Sequence, residues 1–283
     1  HLEVTKLKIG FIGAGKVGTS LGKYFSTHQV TVTGFYSRTE ASAKEAAKFT
    51  NTNFYPDRKQ LIADSDVIFL TVTDSAIAPV WESIKHESIQ GKIFCHCSGS
   101  LSSGIFSDIQ HLGAYGYSIH PLYAISSKTE SYKDLTHALF TLEGDSAYLQ
   151  KMRTFMEGFG NDVQIISTES KALYHAAAVF ASNHMIALAY IATNLFQQCG
   201  FSSEHALQAI APLMEGNLAH ILADGPVASL TGPVERNDVA TIQRHLECLP
   251  AQYQAVYREL TKILVDIGSQ RHPNADYTDI QQL

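Results

Sequence analysis

The fold of this chain is decided by the stretch KIGFIGAGKVGTSLG, residues 8–22. A short apolar segment typical of a buried strand runs into the spacing Gly13-x-Gly15-x-x-Gly18, and a helical pattern follows. In such a unit the first glycine makes the tight turn, the second admits a ligand close to the backbone, and the third lets helix and strand pack. We predict a dinucleotide-binding turn, with Lys16 and Val17 at the anion-binding helix N-terminus. The alternative is a turn that serves only the backbone.

Strand-like and helix-like segments alternate through the first 166 residues. This alternation predicts an α/β fold with a Rossmann-type, doubly wound parallel sheet. The predicted strands are 8–12, 30–35, 67–72, 92–97, 115–119, 138–142 and 163–166, and the predicted helices are 16–27, 39–49, 77–85 and 146–159.

From residue 167 the strand signals disappear and an all-α region follows. Its predicted helices are 169–199, 203–223, 237–247 and 250–267. We therefore predict two domains, a nucleotide-binding Rossmann domain over residues 1–166 and a helical domain over residues 167–283. The polar final segment 269–283 is predicted to be a loosely packed tail.

The composition limits the classes of protein to which the chain can belong. Its 283 residues, 45% hydrophobic and 17% charged, can bury a substantial core. A net charge of −6 and the absence of a basic run argue against a nucleic-acid partner. Four cysteines favour a reducing compartment, and the N-terminus lacks a signal-peptide pattern, so we expect a cytoplasmic protein.

The longest apolar stretch, residues 172–196, is long enough to suggest a membrane helix. It carries His175, Ser182, Asn183, His184 and Asn194, and these polar side chains favour a buried helix instead. A helix that is apolar on all sides must be covered on all sides, and the short chain that follows is poorly placed to do so alone. We therefore predict no membrane partner and a homodimer.

The second predicted strand ends at Ser37 and Arg38, where NAD-binding proteins carry a carboxylate for the ribose 2′-hydroxyl. A hydroxyl followed by an arginine instead suits a 2′-phosphate, which predicts NADP(H) as the cofactor. In an alternative interpretation, Ser37 and Glu40 form a capping box for the next helix and Arg38 is merely solvated. The two interpretations are compatible.

Two later turns, VTDS at 72–75 and CSGS at 97–100, follow predicted parallel strands. Ligands of such sheets lie across the carboxyl ends of the strands, so Thr73, Asp74 and Ser98 are predicted at the nicotinamide end. Asp74 could equally be a helix N-cap, and Ser98 part of an ordinary turn.

The run Cys95-His96-Cys97 resembles metal ligands but lacks the paired spacing of a zinc site, so we predict no metal. His120, before Pro121, is a candidate for holding the substrate or a structural histidine at a strand end. Lys171 and His175 lie on one line of the long helix, where a dry lysine could donate a proton. A solvated lysine and a core histidine are the alternative.

The segment LTGPVERND, residues 230–238, joins two predicted helices through a Gly-Pro turn. Arg236 in this segment is a candidate for binding a substrate carboxylate, because guanidinium and carboxylate form paired hydrogen bonds. In the alternative interpretation the polar groups of this segment serve the turn, with Asn237 as the cap of the following helix.

Seven motifs together resemble a known family: FIGAGKVGTSLG, YSRT, VTDSAI, HCSGSLS, IHPLYA, YHAAAVFASN and LTGPVERND. It comprises NADP oxidoreductases with a Rossmann-like N-terminal domain, similar to that of deazaflavin-dependent NADP reductases, and a C-terminal domain of unknown function. The wider group resembles the 6-phosphogluconate dehydrogenase-like superfamily. The resemblance implies that a helical, dimerising domain closes over the nicotinamide.

Three relatives carry partial likenesses at single sites. His120-Pro121 is similar to the His-Pro of prephenate dehydrogenases, and Lys171 is similar in place to the catalytic lysine of β-hydroxyacid dehydrogenases. The Gly-Pro turn at 232–233 resembles the substrate loop of pyrroline-carboxylate reductases. His175 stands where β-hydroxyacid dehydrogenases carry asparagine, so neither mechanism nor substrate transfers directly.

The sequence therefore predicts an oxidoreductase that transfers a hydride between NADP(H) and a small keto/hydroxy or imino/amino acid held between its domains. Lys171 or His175 would manage the proton, and His120 and Arg236 would orient the substrate. The alternative is a non-catalytic NADP(H) sensor that acts through its helical domain.

Overall fold

A computed structural model describes residues 7–283, and its first compact unit is built on one eight-stranded sheet. The spatial order is β3-β2-β1-β4-β5-β6-β7-β8. The strands are β1 (Lys8–Ile12), β2 (Thr31–Tyr36), β3 (Asn53–Phe54), β4 (Val67–Leu70), β5 (Ile93–His96), β6 (Tyr115–Leu122), β7 (Leu139–Gly144) and β8 (Val163–Ile165). The first six positions reproduce the 3-2-1-4-5-6 order of dinucleotide-binding folds, which confirms the predicted Rossmann class.

The sheet is not wholly parallel, which corrects one detail of the prediction. β6 and β7 pair antiparallel, with His120 opposite Thr141, whereas β7 and β8 are parallel to each other. Only two short 3₁₀ turns, Ser131–Lys133 and Leu135–His137, are formed in the connection from β6 to β7. Parallel neighbours are usually connected through an α-helix, and this connection forms none, in accord with its antiparallel pairing.

Six helices belong to this first unit: α1 (Lys16–Thr27), α2 (Glu40–Thr50), α3 (Arg58–Asp64), α4 (Asp74–Ile84), α5 (Leu149–Glu157) and α6 (Lys171–Ala181). The strands bury both faces, since alternate residues enter two separate apolar clusters. Phe11 and Phe69 lie in one cluster, while Ile68 and Leu70 join Trp81 of α4 in the other. Burial on both faces fixes the sheet and the turns at its edge.

The elements β3 and α3 were not predicted from the sequence. β3 has only two residues, and α3 has seven and begins after Asp57, whose carboxylate accepts a hydrogen bond from the Lys59 N–H. Elements this short carry too little periodicity to be recognised.

The second unit is helical. Its helices are α7 (Asn183–Gln198), α8 (Ser203–Ala228), α9 (Val239–Cys248), α10 (Ala251–Arg271) and α11 (Thr278–Gln281). The prediction of a loose tail is wrong, because α10 continues to Arg271 and α11 follows. Tyr277 and Ile280 are buried in one cluster with Ile242 and Val265, so two apolar side chains hold the end of the chain.

The predicted single helix over 169–199 is divided. α6 ends at Ala181 and α7 begins at Asn183, with the non-helical φ/ψ pair −123°, −72° at Ser182 between them. The expected burial is also absent within one chain: Leu173 of α6 is 75% exposed and Ile186 of α7 is 66% exposed. The segment Thr168–Gln198 is long and apolar enough to pass a length-and-composition test for a membrane span.

The chain divides into two compact units after Phe180. The change in secondary structure comes earlier, because no strand follows β8 in the described part of the chain. α6 therefore follows the last strand along the chain but packs with the sheet-containing unit. Residue 166 marks the change from the sheet to the helices. Its assignment as the boundary between two domains stays a prediction.

Candidate functional site

The glycine turn between β1 and α1 contains two glycines at which the fold leaves no room for a side chain. Gly13 has φ +112°, and a Cβ there would lie 2.6 Å from the backbone oxygen of Thr71. A Cβ on Gly18 would lie 2.5 Å from the carbonyl oxygen of Gly13. Both positions exclude any side chain because the backbone of the turn is packed against them.

Gly15 differs, because a Cβ there would meet nothing within 4 Å. It is the N-cap of α1 and supplies no side-chain hydrogen bond to the helix. The first N–H groups of that helix have no partner within the helix and lie close to this open space, at the positive end of the helix dipole. The space is a cleft of about 460 Å³, lined by Ile12, Gly13, Ala14, Gly15, Tyr36, Ser37, Arg38, Thr39, Arg58, Thr71, Val72, Thr73, Ala76 and Val80.

The cleft brings Ser37 and Arg38 together with the glycine turn. α2 begins at Glu40 with Thr39 as its N-cap, so the capping box from Ser37 to Glu40 is not formed. The Ser37 hydroxyl instead accepts a weak hydrogen bond, 3.3 Å, from the Thr39 N–H. Arg38 is exposed. Both side chains can therefore reach a ligand in the cleft.

The cleft also contains Arg58, which sequence reasoning missed. This arginine is the first residue of α3, and it lines the same cleft as Arg38, twenty positions away in sequence. Arg58 was missed because α3 was not predicted, so nothing in the sequence placed this arginine near the cofactor turn.

A second polar region lies after β5, where residues 97–103 form the serine loop. Asp74, the first residue of α4, accepts hydrogen bonds from the hydroxyls of Ser98 at 2.7 Å and Ser100 at 3.2 Å. Thr73, not Asp74, is the N-cap of α4. Asp74 thus fastens the turn after β4 to the turn after β5, while Thr73 lines the cleft.

His96 fixes the backbone of the serine loop. Its Nδ1 accepts from the Ser98 N–H at 3.2 Å, and its Nε2 donates to the Ser102 carbonyl at 3.1 Å. These two bonds together require the neutral Nε2–H tautomer. Burial agrees with this, since it lowers the pKa of His96 to about 4.

The neighbouring cysteines behave as buried thiols. Burial raises the pKa of the Cys97 thiol to about 12 and that of the Cys95 thiol well above its usual range. No group of three or more metal-ligating side chains occurs in residues 7–283. Both ring nitrogens of His96 are hydrogen-bonded to backbone groups, so His96 and the two buried cysteines beside it have a structural role.

Lys171 carries its ammonium group into the protein beneath the serine loop. The residue is 2% exposed, and its Nζ donates to the Ser98 carbonyl at 2.9 Å and to the Ser118 hydroxyl at 2.8 Å. Burial lowers the pKa of Lys171 to about 8, and the nearby Glu143 opposes the shift. The cation therefore ties α6 to β6 and to the serine loop.

Glu143 on β7 is a buried carboxylate that the sequence analysis did not single out. It accepts three hydrogen bonds of 2.7 Å, from the Ser103 N–H, the Ser103 hydroxyl and the Thr168 hydroxyl. Glu143 pairs with Ser118 in the sheet register, and Ser118 pairs with His96. The available signal was one acidic residue in the otherwise apolar segment FTLEG.

Two histidines meet at Gly99 in the serine loop. A Cβ on Gly99 would lie 2.5 Å from Nδ1 of His175 and 3.1 Å from Nε2 of His120. The His175 Nδ1 is buried without a hydrogen-bond partner. His120 lies within β6, not after it as predicted, and burial lowers its pKa to about 4.

Tyr174 is a further residue that the sequence analysis missed. Its hydroxyl shares a 2.7 Å hydrogen bond with Nδ1 of His120. Lys171 Nζ lies 5.4 Å from the centre of the same tyrosine ring. Four site predictions, Ser98, His120, Lys171 and His175, are thus brought together around the serine loop.

Arg236 lies in the second unit and is exposed. The alternative interpretation, in which Asn237 caps α9, is not observed, because the carboxylate of Asp238 accepts from the Thr241 N–H at the start of that helix. Asn237 has φ +55° and donates from Nδ2 to the Asp276 carbonyl. Glu235, beside Arg236, is 3.2 Å from the ring of His272.

Comparison with family models and solved structures agrees with this architecture. Residues 1–121 match the model of a Rossmann-like domain, and residues 138–263 match a domain of unknown function (DUF2520). A search of curated proteins finds no match.

Several solved structures are similar over nearly the whole chain. A protein from Thermotoga maritima is 26% identical, with 93% of this chain and 98% of that one covered and a TM-score of 0.72. A proposed NADP oxidoreductase from Bacteroides fragilis is 22% identical, with coverage of 93% and 100% and a TM-score of 0.74. A reductive aminase from Aspergillus terreus, in complex with NADPH and ethyl-5-oxohexanoate, is 16% identical, with coverage of 98% and 99% and a TM-score of 0.65. The predicted deazaflavin-dependent type stays a prediction.

Proposed function

We propose that the protein is an NADP(H)-dependent oxidoreductase acting on the C=O or C=N bond of a small keto or imino acid. The observation that carries this proposal is the cleft at Gly15. Unfilled space, free helical N–H groups and Arg38 converge there. These are the features that a dinucleotide with a 2′-phosphate requires.

The residues of the cleft fit the cofactor part by part. The N–H groups of Lys16, Val17 and Gly18 would bind the diphosphate, with Gly13 and Gly15 leaving the backbone accessible. Ser37 and Arg38 would bind the 2′-phosphate by charge-assisted hydrogen bonds. When bound, the reduced cofactor supplies a hydride from its nicotinamide ring.

The serine loop would form the nicotinamide end of the site, because it follows a parallel strand at its carboxyl end. Thr73, Asp74 and Ser98 are proposed to position that end. The two similar enzymes named as an oxidoreductase and a reductive aminase support the reaction class.

We assign the proton to His175 in preference to Lys171. The Nδ1 of His175 has no partner in the protein, whereas both hydrogen bonds recorded for Lys171 Nζ go to protein atoms. His120, held by Tyr174, would orient the substrate beside Gly99. Arg236 would bind a substrate carboxylate, a role suggested by its charge and its Gly-Pro turn.

Titration and turnover together test the proposal. We expect NADP⁺ to bind at least tenfold more tightly than NAD⁺, about 1.4 kcal/mol, and Arg38→Asp to abolish that preference. A screen of small keto acids and cyclic imines should then find one whose reduction consumes NADPH. Tight NADP(H) binding without turnover of any substrate would favour the sensor, and equal affinity for NAD⁺ and NADP⁺ would remove the cofactor assignment.

We further propose a homodimer, in which a second copy covers the apolar helical surfaces. Exposed apolar side chains occur on both α7 and α8, including Tyr190 at 66% and Leu222 at 77%. Exposed apolar surface of this extent marks an interaction site. Light scattering should give twice the chain mass of 31.0 kDa. A monomer that stays monodisperse at high concentration would contradict the proposal.

The four cysteines are free thiols. Free thiols persist where glutathione and thioredoxin keep them reduced, which supports the proposed cytoplasmic location.

A further inference from the structure

We infer that Arg58 is a specificity-determining residue that binds the cofactor's 2′-phosphate together with Arg38. The inference rests on the proposed NADP(H) function and extends it to a residue outside the turn after β2. It follows from where Arg58 is held, from the charge of the cleft, and from the charge of the ligand.

The side chain of Arg58 is fixed along one wall of the cleft. Its Nη2 donates to the Ser83 carbonyl at 3.1 Å. Ser83 lies on α4, and Ala76 and Val80 of the same helix line the cleft. A guanidinium has five N–H donors, so this one bond leaves most of them available to a ligand.

The charge of the cleft is one-sided. The cleft is lined by two arginines, Arg38 and Arg58, and by no Asp or Glu, all within the described residues. This is notable in a chain whose net charge is −6. The adjacent carboxylate of Asp57 does not line the cleft, and it caps α3 by accepting from the Lys59 N–H at 2.9 Å.

A phosphate monoester matches two guanidinium groups better than one. It carries a charge of about −1.5 to −2 at neutral pH and three acceptor oxygens. One arginine compensates one charge and can fill two of those oxygens. Arg38 from the turn after β2 and Arg58 from the start of α3 would bind the group from two different elements.

A different use of Arg58 is to stack its planar guanidinium on the adenine ring. Stacking would contribute equally to NAD⁺ and NADP⁺, because both contain adenine. A phosphate contact contributes to NADP⁺ alone. The two uses therefore differ in which ligand is lost when the arginine is replaced.

The test compares Arg58→Gln, Arg58→Lys and Arg38→Gln with the matched control Lys59→Gln. Lys59 is the next residue on α3 and pairs with Glu87. The full chain is titrated calorimetrically with NADP⁺, NAD⁺, adenosine 2′-phosphate and adenosine 5′-phosphate, and melting curves verify that each variant is folded.

We expect Arg58→Gln to weaken NADP⁺ and adenosine 2′-phosphate about tenfold and to leave NAD⁺ and adenosine 5′-phosphate within about twofold. Arg58→Lys, which keeps the charge but not the planar fork, should lose less, and Lys59→Gln should lose nothing. If Arg58→Gln does not fold, Arg58→Lys carries the test alone, with an expected loss of about threefold for NADP⁺ only.

Equal losses for NADP⁺ and NAD⁺ would overturn the inference in favour of stacking. Unchanged NADP⁺ affinity in Arg58→Gln, with a loss in Arg38→Gln, would overturn the inference but leave the proposed function standing. Failure of the unmodified protein to bind NADP⁺ would overturn both.

Discussion

The cleft at Gly15 and the serine loop both lie at carboxyl ends of parallel strands, yet they use their polar groups in opposite ways. In the cleft, helical N–H groups and Arg38 are left free of protein partners. In the serine loop, Asp74, His96 and Lys171 are each hydrogen-bonded to it. A region with free donors is suited to bind a ligand, and a region with satisfied ones is suited to hold a fixed shape.

The two histidines at Gly99 are the exception within the serine loop. The polar side chains around them are hydrogen-bonded within the protein, but Nδ1 of His175 is buried and unpaired. An unpaired buried nitrogen beside the serine loop can form a hydrogen bond with a bound molecule. This contrast supports assigning the proton to His175.

The largest effect should come from the buried carboxylate that holds the far end of the serine loop. Glu143→Gln replaces three charge-assisted hydrogen bonds and presents an amide NH₂ to groups that are themselves donors. We expect the free energy of unfolding to fall by about 3 kcal/mol, measured by urea denaturation. The pKa of Lys171 should also fall further, because Glu143 is the largest of the nearby influences that raise it.

The control for this variant is Glu157→Gln, the same change at an exposed glutamate that pairs with Arg153 on α5. An exposed pair of this kind contributes about 0.5 kcal/mol. If the two variants were equally stable, the serine loop would not depend on Glu143, and the contrast between the two regions would fail.

An effect of intermediate size should distinguish Gly13 from Gly15 when each is replaced by alanine. Gly15→Ala adds a methyl group in open space, so the free protein should lose no more than about 1 kcal/mol, the cost of an N-cap change, while NADP⁺ affinity falls about tenfold. Gly13→Ala should instead destabilise the free protein by about 2 kcal/mol, because φ is +112° and Thr71 blocks the Cβ. Calorimetric titration and thermal melts measure the pair. A larger loss of stability in Gly15→Ala would mean that this turn serves the backbone alone.

The smallest effect concerns acid stability. The folded pKa of His96 is about 4, whereas an unfolded histidine titrates near 6.5. The unfolded state therefore takes up the proton first, and stability is lost as pH falls from about 6.5 towards 4, with no effect above that window. His120 contributes in the same direction.

His96→Gln should reduce this loss by slightly less than ~2 kcal/mol between pH 7 and pH 5, because glutamine can bond both backbone groups without titrating. The measurement is the fall in melting temperature between pH 7 and pH 5, with His111→Gln as the control at an exposed histidine. An unchanged fall in the His96 variant would show that its imidazole is not held neutral.

Much of the first unit could be predicted from the sequence, because its long elements follow strong local signals. Strand and helix alternate from Lys8 onward, and the predicted strands agree with β1, β2 and β4–β8 to within a few residues. The antiparallel direction of β7, the two-residue β3 and the seven-residue α3 could not be predicted. The first depends on how a loop reverses the chain, and the other two are too short to show a period.

Some residues of the site could be predicted from the sequence and others could not. Gly13, Gly15, Ser37 and Arg38 share one stretch of sequence, and the cleft gathers all four. Glu143, Tyr174 and Arg58 were missed because their roles depend on parts of the chain that are distant in sequence. Glu143 bonds Ser103, Tyr174 bonds His120, and Arg58 lines the cleft. His96 was noticed for its cysteine neighbours, but its bonds go to the loop that follows it.

The sequence by itself determined the strand–turn–helix unit at residues 8–22 and the change to an all-helical region, because backbone geometry and periodicity are local properties. Only the tertiary structure decided that Lys171 is a buried cation, that Glu143 holds the serine loop and that Arg58 joins Arg38. These outcomes depend on the fold bringing together residues 20 to more than 70 positions apart. Burial and partner distance, which no single stretch of sequence contains, determine what a charged side chain does.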